Sequence, residues 1–176
     1  MELSEQLKWI KLLILDVDGV LTNGSVILGS NDTEQKCFDI KDGLGIRMLI
    51  SAGIVVSIIT GRKSDAVTRR AAELGIVDLY QGTTHKLRAY DELLEKYDVH
   101  DEETAYMGDD LFDIPLMNRV GLPIAVADAV DEVKDIAAYT TRKCGGSGAV
   151  REVTDMILKN QDLWNKVVKD LGIYEK

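Results

Sequence analysis

The chain has 176 residues, 45% hydrophobic and 29% charged, which suits one domain with a sizeable core. Its formal net charge of −9, from 30 acidic and 21 basic residues, argues against nucleic-acid binding, because phosphates attract a surplus of cations. We find no apolar run near the ~20 residues of a membrane span and no signal-peptide pattern. The widely spaced Cys37 and Cys144 suggest neither a zinc site nor a disulfide. We therefore expect one domain over residues 1–176, with no membrane or nucleic-acid partner, in the reducing cytoplasm.

The first predicted strand ends in two acids. Residues 1–9 form a short leader, in which Trp9 is expected to pack at the start of this strand. The apolar run at 12–15 is short and bounded by turn residues, which predicts a fully buried parallel strand. Asp16 and Asp18 follow it directly. Carboxylates in that position are costly unless a cation meets them, which indicates a metal site.

A hairpin is predicted next. Residues 25–40 alternate apolar and polar side chains around a polar tip at 29–32, which is typical of a β-hairpin. The hairpin projects from the end of the chain's first strand, so we expect it to serve as a flap or as an oligomer contact. A helix over residues 45–52, stopped by Gly53, and a second buried strand over 54–59 follow it.

The rest of the chain alternates helices and strands without an internal repeat. Helices are predicted over residues 64–74, 86–97, 111–119, 130–138 and 150–159, and strands over 78–80, 104–107, 123–126 and 139–141. This alternation predicts an α/β fold, a doubly wound parallel sheet of the Rossmann-like kind.

Reactive side chains follow the predicted strands. Ligands of open parallel sheets bind at the carboxyl ends of the strands, so we expect these side chains to meet in space. Carboxylate oxygens and a backbone carbonyl form the kind of site that Mg²⁺ prefers. A carboxylate beside that cation is a plausible nucleophile toward phosphorus, and a second one can move the proton. The residues concerned are Asp16, Asp18, Thr60, Lys86, Asp109, Asp110 and Asp113.

The motifs resemble those of the haloacid dehalogenase superfamily of phosphohydrolases in both content and order. They cover nearly the whole chain: DVDGVLT at 16–22, IITGR at 58–62, Lys86, and GDDLFD at 108–113. The resemblance implies a haloacid dehalogenase-like fold. Asp113 matches the second acid of the fourth motif, where it would act on metal-bound water or on Lys86.

This resemblance also implies roles for the site residues. Asp16 would be the nucleophile, forming an aspartyl-phosphate, and Asp18 the general acid and base. Thr60 and Lys86 would bind the phosphate group. Mg²⁺ would be held by Asp16, Asp109 and the backbone carbonyl of Asp18.

The chain has no room for the cap domain that most superfamily members carry. Only about 20 residues separate Thr22 from Asp42, and about 25 separate Arg62 from Lys86. Capless members act on large substrates or borrow a wall from a neighbouring subunit. Longer runs resemble the 3-deoxy-D-manno-octulosonate 8-phosphate phosphatases of lipopolysaccharide biosynthesis: FDIKDGLGIRML at 38–49, LYQGTTHKL at 79–87, VGLPIAVADA at 120–129 and GGSGAVREV at 145–153.

The narrower resemblance implies a homotetramer whose hairpins pair around its centre, with a neighbour closing each active site. It places Gly61 and Arg62 beside the sugar or its carboxylate, and Asp42 and Gly43 at sugar hydroxyls. Arg70 would reach the substrate carboxylate of a neighbour, for which an arginine fork is suited. A solvated helix arginine is the alternative for Arg70.

Several interpretations stay open. Ser147 stands where the family has arginine, so a role for the loop 145–148 in closing a neighbouring site is open. Related phosphatases act on nonulosonate 9-phosphates and carry glutamate at the position of Arg62, which favours the octulosonate substrate here without excluding the other. A receiver-like phospho-acceptor domain and a catalytically idle, tetramer-building domain are the non-enzyme alternatives.

Overall fold

The computed structural model describes residues 2–30, 34–83 and 85–172. The strands are β1 (Leu12–Leu15), β2 (Ile27–Leu28), β3 (Glu34–Gln35), β4 (Val55–Thr60), β5 (Asp78–Gln81), β6 (Thr104–Gly108), β7 (Leu122–Ala125) and β8 (Tyr139–Thr140). The α-helices are α1 (Leu3–Trp9), α2 (Ile40–Ser51), α3 (Asp65–Leu74), α4 (Lys86–Tyr97), α5 (Ile114–Met117), α6 (Asp131–Ile136), α7 (Ala149–Asn160) and α8 (Trp164–Asp170).

Six strands form a wholly parallel sheet in the order β5–β4–β1–β6–β7–β8, as the predicted α/β fold requires. The four residues of β1 are fully buried because neighbours pair with both edges and helices cover the sheet. In register, Leu15 lies beside Ile58 of β4 and Met107 of β6. The residues that follow these three strands therefore emerge at one edge of the sheet.

Helices pack in two groups against this sheet. In one group α2 contacts both α3 and α7, and α1 also packs on α7. In the other, α5 contacts both α4 and α6. Buried apolar side chains from the strands and helices form one hydrophobic core cluster. In the part of the chain that the structure describes, every helix is too short or too polar to span a bilayer.

Helix α2 begins five residues before the predicted start at residue 45. Its first turn is stabilised by Asp39, whose carboxylate accepts backbone hydrogen bonds from Lys41 at 2.6 Å and Asp42 at 3.3 Å. Glycine inside a helix is unfavourable, yet a Cβ at Gly45 would lie 2.2 Å from the Thr154 hydroxyl of α7. Close packing of α2 on α7 therefore explains the glycine at position 45.

The predicted hairpin is present as a short antiparallel pair of β2 and β3, in which Ile27 pairs with Gln35 and Leu28 with Glu34. It is smaller than the predicted range of 25–40, because Ile40 already belongs to α2. Part of the predicted tip, residues 31–33, lies outside the described residues.

Two local predictions were wrong, and one helix was missed. The leader forms α1, but Trp9 is 62% exposed, and Leu7 and Ile10 pack into the core instead. Residues 111–119 form a 3₁₀ turn at Leu111–Asp113 followed by the short α5, and α8 was not predicted. The other predicted elements agree with the structure to within two residues at their ends.

Asp42 is a buried link between α2 and the start of α7. The residue is 1% exposed, and its carboxylate accepts hydrogen bonds from the backbone of Arg151 at 2.7 Å and Gly148 at 3.3 Å. Burial raises the pKa of Asp42 from 3.8 to about 6, although these hydrogen bonds oppose the shift. The folded protein therefore binds a proton at Asp42 more tightly than the unfolded chain does.

The stabilising effect of this proton should be present at low pH and lost as pH rises through 6. We predict that the free energy of unfolding of the wild type, relative to Asp42→Asn, increases by about 1 kcal/mol when the pH falls from 7 to 5. Urea unfolding of both proteins at the two pH values measures this difference. The other acids titrate in both proteins, so their contributions cancel in the comparison. If the difference in unfolding free energy did not change with pH, or decreased as the pH fell, the raised pKa of Asp42 would be contradicted.

Candidate active site

A pocket of about 210 Å³ opens at the carboxyl ends of β1, β4 and β6. Nine of the residues predicted from the sequence line it, and Phe112, from the turn after β6, joins them. The predicted ones are Asp16, Asp18, Thr60, Gly61, Arg62, Lys86, Asp109, Asp110 and Asp113. Because β1, β4 and β6 are parallel and end at the same edge of the sheet, these side chains lie close together, as the sequence analysis expected.

The ammonium group of Lys86 lies at the floor of this pocket. Its Nζ donates hydrogen bonds to Asp16 Oδ1 at 2.7 Å, Asp113 Oδ1 at 2.6 Å and the Tyr106 hydroxyl at 2.8 Å. The lysine side chain is 4% exposed, so almost all its contact with water has been replaced by these three oxygens. Lys86 thereby fixes the position of the Asp16 carboxylate.

Asp113 uses both of its oxygens. Oδ1 accepts from Lys86 and from the Tyr106 hydroxyl, while Oδ2 accepts from the backbone N–H of Asp109 at 2.8 Å and of Asp110 at 3.1 Å. The second pair of bonds holds the backbone of the turn that carries Asp109. With its oxygens engaged in this way, Asp113 acts as a positioning residue for Lys86 and Asp109.

Tyr106 was missed by the sequence analysis. It lies inside β6, is fully buried, and its hydroxyl bonds to both Lys86 and Asp113. The only feature of the sequence that could have pointed to Tyr106 is the position of its hydroxyl group, two residues before the end of an apolar strand. Buried tyrosines are common in cores, so that signal is weak.

Burial and crowding of charge perturb the acids of this site. Burial raises the pKa of Asp16 to about 6, against the opposing charge of Lys86. Burial together with the charges of Asp16 and Asp113 raises the pKa of Asp109 to about 8. For Lys86 burial alone would lower the pKa, but the two carboxylates beside it hold it above its usual value. A cation that binds Asp109 must displace a proton, so its affinity should increase with pH.

The donor set at the floor suits a divalent cation. Oxygen atoms of Asp16, Asp109 and Asp113 lie within 4.8 Å of one another. Three acids against the single ammonium of Lys86 leave a formal charge of −2 when all are ionised. Oxygen ligands of this kind favour hard cations such as Mg²⁺ over softer metals. Because Asp113 is occupied by hydrogen bonds, Asp16 and Asp109 are the carboxylates with capacity left for a metal.

Gly19 leaves the space that Asp109 fills. Its φ of +93° lies in the left-handed region, and a Cβ at this position would be 1.9 Å from Asp109 Oδ2. The turn around it is closed by the Thr22 hydroxyl, which accepts from Gly24 N at 3.2 Å and donates to Val17 O at 3.3 Å. Glycine is therefore required here for both backbone conformation and space.

The loop 145–148 packs behind this turn in the same chain. Gly146 N donates to Val20 O at 2.9 Å, and a Cβ at Gly145 would lie 1.6 Å from Gly19 O. The loop thus supports the turn that carries Asp18 and Gly19. Ser147 itself lines a separate hollow beside Lys41.

Three residues predicted to bind substrate lie away from the pocket. The carboxylate of Asp42 is buried, and each of its oxygens accepts a backbone hydrogen bond from the start of α7. Gly43 faces Arg70, since a Cβ there would be 2.3 Å from the guanidinium. Arg70 Nη2 donates to Asp39 O at 3.4 Å, and its guanidinium stacks 5.9 Å from the ring of Phe38. Asp42 and Gly43, predicted to contact sugar hydroxyls, thus make their contacts within the chain and away from the pocket.

Comparisons with known proteins show which family the chain resembles. A family model of haloacid dehalogenase-like hydrolases matches residues 70–153. The chain is 53% identical over 152 residues to the 3-deoxy-D-manno-octulosonate 8-phosphate phosphatase of Escherichia coli K12, covering 86% of this chain and 81% of the relative. It superposes with a TM-score of 0.91 on the crystal structure of the phosphatase of that name from Yersinia pestis, at 49% identity, covering 92% and 88% of the two chains.

A third similar structure contains ligands. The 3-deoxy-D-manno-octulosonate 8-phosphate phosphatase from Moraxella catarrhalis was solved with a magnesium ion, a phosphate ion and a KDO molecule. It is 41% identical to this chain, with a TM-score of 0.92 over 96% of this chain and 97% of that one.

Gly19→Ala tests the proposed cation site. The new methyl group would displace the Asp109 carboxylate, so we predict that Mg²⁺ no longer raises the melting temperature of the variant. For the wild type, Mg²⁺ at 100 times its dissociation constant should add ~2.7 kcal/mol of stability, several degrees for a chain of this size.

Gly53→Ala is the matched control. Gly53 has a similar φ of +88°, but a Cβ at that position would have no atom within 4 Å. Alanine at position 53 therefore introduces the same backbone strain without a steric clash. Thermal unfolding of the three proteins, each with Mg²⁺ and with EDTA, gives the answer. An undiminished Mg²⁺ shift in Gly19→Ala would mean that Asp109 does not hold the cation.

Proposed function

Because the chain belongs to the 3-deoxy-D-manno-octulosonate 8-phosphate phosphatase family of haloacid dehalogenase-like hydrolases, we propose that it hydrolyses 3-deoxy-D-manno-octulosonate 8-phosphate to the free sugar acid and phosphate. The supporting observation is the carboxylate of Asp16, held by Lys86 in a pocket that Thr60 and Asp109 also line. The reaction is a step of lipopolysaccharide biosynthesis. The cofactor is Mg²⁺, which the relative from Moraxella catarrhalis binds.

Asp16 is the nucleophile in this proposal. Its carboxylate attacks phosphorus while the bond between phosphorus and the sugar O8 breaks, giving an aspartyl-phosphate. Asp18, two residues along the same turn, donates the proton that the departing alkoxide requires. It then removes a proton from water, whose oxygen attacks the aspartyl-phosphate, releasing phosphate and restoring Asp16.

The remaining groups position the phosphate and neutralise its charge. Lys86 and the buried hydroxyl of Thr60 contact the phosphoryl oxygens, and Lys86 also keeps Asp16 oriented for attack. Mg²⁺, held by Asp16, Asp109 and the backbone carbonyl of Asp18, supplies positive charge to the phosphoryl group. A pKa of about 6 leaves most of Asp16 ionised at neutral pH, as a nucleophile must be.

The sugar end of the substrate meets Gly61 and Arg62 in this account. Both residues line the pocket, and the Arg62 side chain is 49% exposed. A guanidinium there suits a carboxylate or hydroxyl groups of the sugar acid. Nonulosonate 9-phosphates also carry a carboxylate and hydroxyl groups, and they are the alternative substrate. Arg70 lies outside this pocket, and in the proposed assembly it reaches the substrate of a neighbouring subunit.

The assembly we propose is a homotetramer. The hairpin and the start of α2 expose apolar side chains that a second copy of the chain would cover. They are Val26, Ile27, Leu28 and Ile40, with exposed fractions of 45%, 45%, 77% and 84%. Residues 1–176 would form one phosphatase domain without a cap. A cytoplasmic location fits the sugar-phosphate substrate and the two unpaired thiols of Cys37 and Cys144.

Phosphate release from a panel of substrates tests this proposal. With Mg²⁺ we predict that kcat/KM for octulosonate 8-phosphate exceeds that for nonulosonate 9-phosphates and hexose phosphates by ~10-fold or more, and that EDTA abolishes release. Preference for a nine-carbon acid would keep the mechanism and replace the substrate. Absence of turnover on all of them would contradict the enzyme and favour an idle or receiver-like phospho-acceptor domain.

A further inference from the structure

Four side chains of alternating charge form a closed ring at the mouth of the pocket. The ammonium of Lys36 contacts Asp18 Oδ1 and lies 3.3 Å from Glu34 Oε1. Arg62 Nη2 contacts Glu34 Oε2, and its Nε lies 3.7 Å from Asp18 Oδ2. Each acid therefore pairs with both bases. Glu34 belongs to the hairpin and Lys36 follows it, whereas Asp18 and Arg62 line the pocket.

The burial of Lys36 distinguishes this ring from an ordinary surface ion pair. Its side chain is 1% exposed, although it comes directly after a short, largely exposed strand. Lysine is almost never buried without partners, because removing its charge from water costs several kcal/mol. Two carboxylates offset that cost here. The hairpin is thus attached to the catalytic turn of its own chain by a desolvated cation.

The ring also separates the roles of the two Asp18 oxygens. Oδ1 is occupied by Lys36. Oδ2 is buried and has no hydrogen-bond donor among the described residues, and its nearest cation is Arg62 at 3.7 Å. The same holds for Glu34 Oε1, which is ion-paired with Lys36 but not hydrogen-bonded. Lys36 therefore fixes the orientation of the Asp18 carboxylate and leaves one oxygen unbonded.

We propose that Lys36, braced by Glu34, is a positioning residue for Asp18: it orients the carboxylate that exchanges the proton with the leaving group and with water. This inference rests on the proposed function, since it concerns the acid and base of that reaction. It assigns the hairpin a role within its own subunit, in addition to its proposed contacts with neighbours. Glu34 completes the arrangement by holding Arg62 at the sugar end of the pocket.

Substrates that differ in their leaving group test the proposal. An alkyl phosphate such as the sugar phosphate needs a proton on its leaving oxygen, whereas p-nitrophenyl phosphate releases a stable anion without one. Because kcat/KM reports on steps up to loss of the leaving group, it isolates this proton transfer. We predict that Lys36→Met lowers kcat/KM for the sugar phosphate by ~10-fold or more and leaves that for p-nitrophenyl phosphate within about twofold.

Three further variants give the controls. Lys36→Arg should restore most of the activity, and Asp18→Asn should show the same selective loss as Lys36→Met. Lys11→Met removes an exposed lysine that pairs with Glu103 far from the pocket, and should change neither substrate. Thermal unfolding of each variant identifies loss of folding separately.

Equal losses of kcat/KM on both substrates would show that Lys36 only anchors the hairpin, and no loss on either would show that it has no role. Both outcomes overturn the inference while leaving the phosphatase intact. A wild type that hydrolyses neither substrate would instead overturn the proposed function, and the inference with it.

Discussion

The site depends on one buried cation, the ammonium of Lys86. It is ion-paired with both Asp16 and Asp113, which would otherwise be unpaired charges in the core. Removing one partner of a buried ion pair costs ~3–5 kcal/mol. Through Asp113 it also holds the backbone of the turn that presents Asp109. A single lysine at the start of α4 therefore joins the ends of β1 and β6 at the floor of the pocket.

The pocket has two electrostatic zones. The floor contains three acids and one base, Asp16, Asp109, Asp113 and Lys86, and so carries a formal charge of −2 that a divalent cation would balance. The rim contains two acids and two bases, Asp18, Glu34, Lys36 and Arg62, and is neutral. A phosphate group can thus bind to a protein with a net charge of −9, because the local electrostatic field of the cation-loaded floor governs its binding.

The floor was predictable from the sequence, whereas only Asp18 and Arg62 of the rim were, and Glu34 and Lys36 were not. Asp16 and its companions stand directly after strands, and a parallel sheet brings strand ends together whatever the loops do. Lys36 lies in the predicted hairpin. The alternation of apolar and polar residues there predicts which face of the hairpin a side chain is on, but not which part of the protein that face packs against. Asp42 in α2 has the pattern of a surface acid, and only the close approach of α7 makes it a buried link. Tyr106 is indistinguishable in sequence from an ordinary core aromatic.

The most direct test of the account is to locate the phosphoryl group during turnover. The protein with Mg²⁺ and octulosonate 8-phosphate would be quenched in acid within one turnover, digested, and its peptides analysed by mass spectrometry, with Asp16→Asn as the control. We predict one phosphoryl group on Asp16 of the wild type and none in the variant, whose turnover is abolished. A phosphoryl group on another residue, or full turnover by Asp16→Asn, would contradict the account.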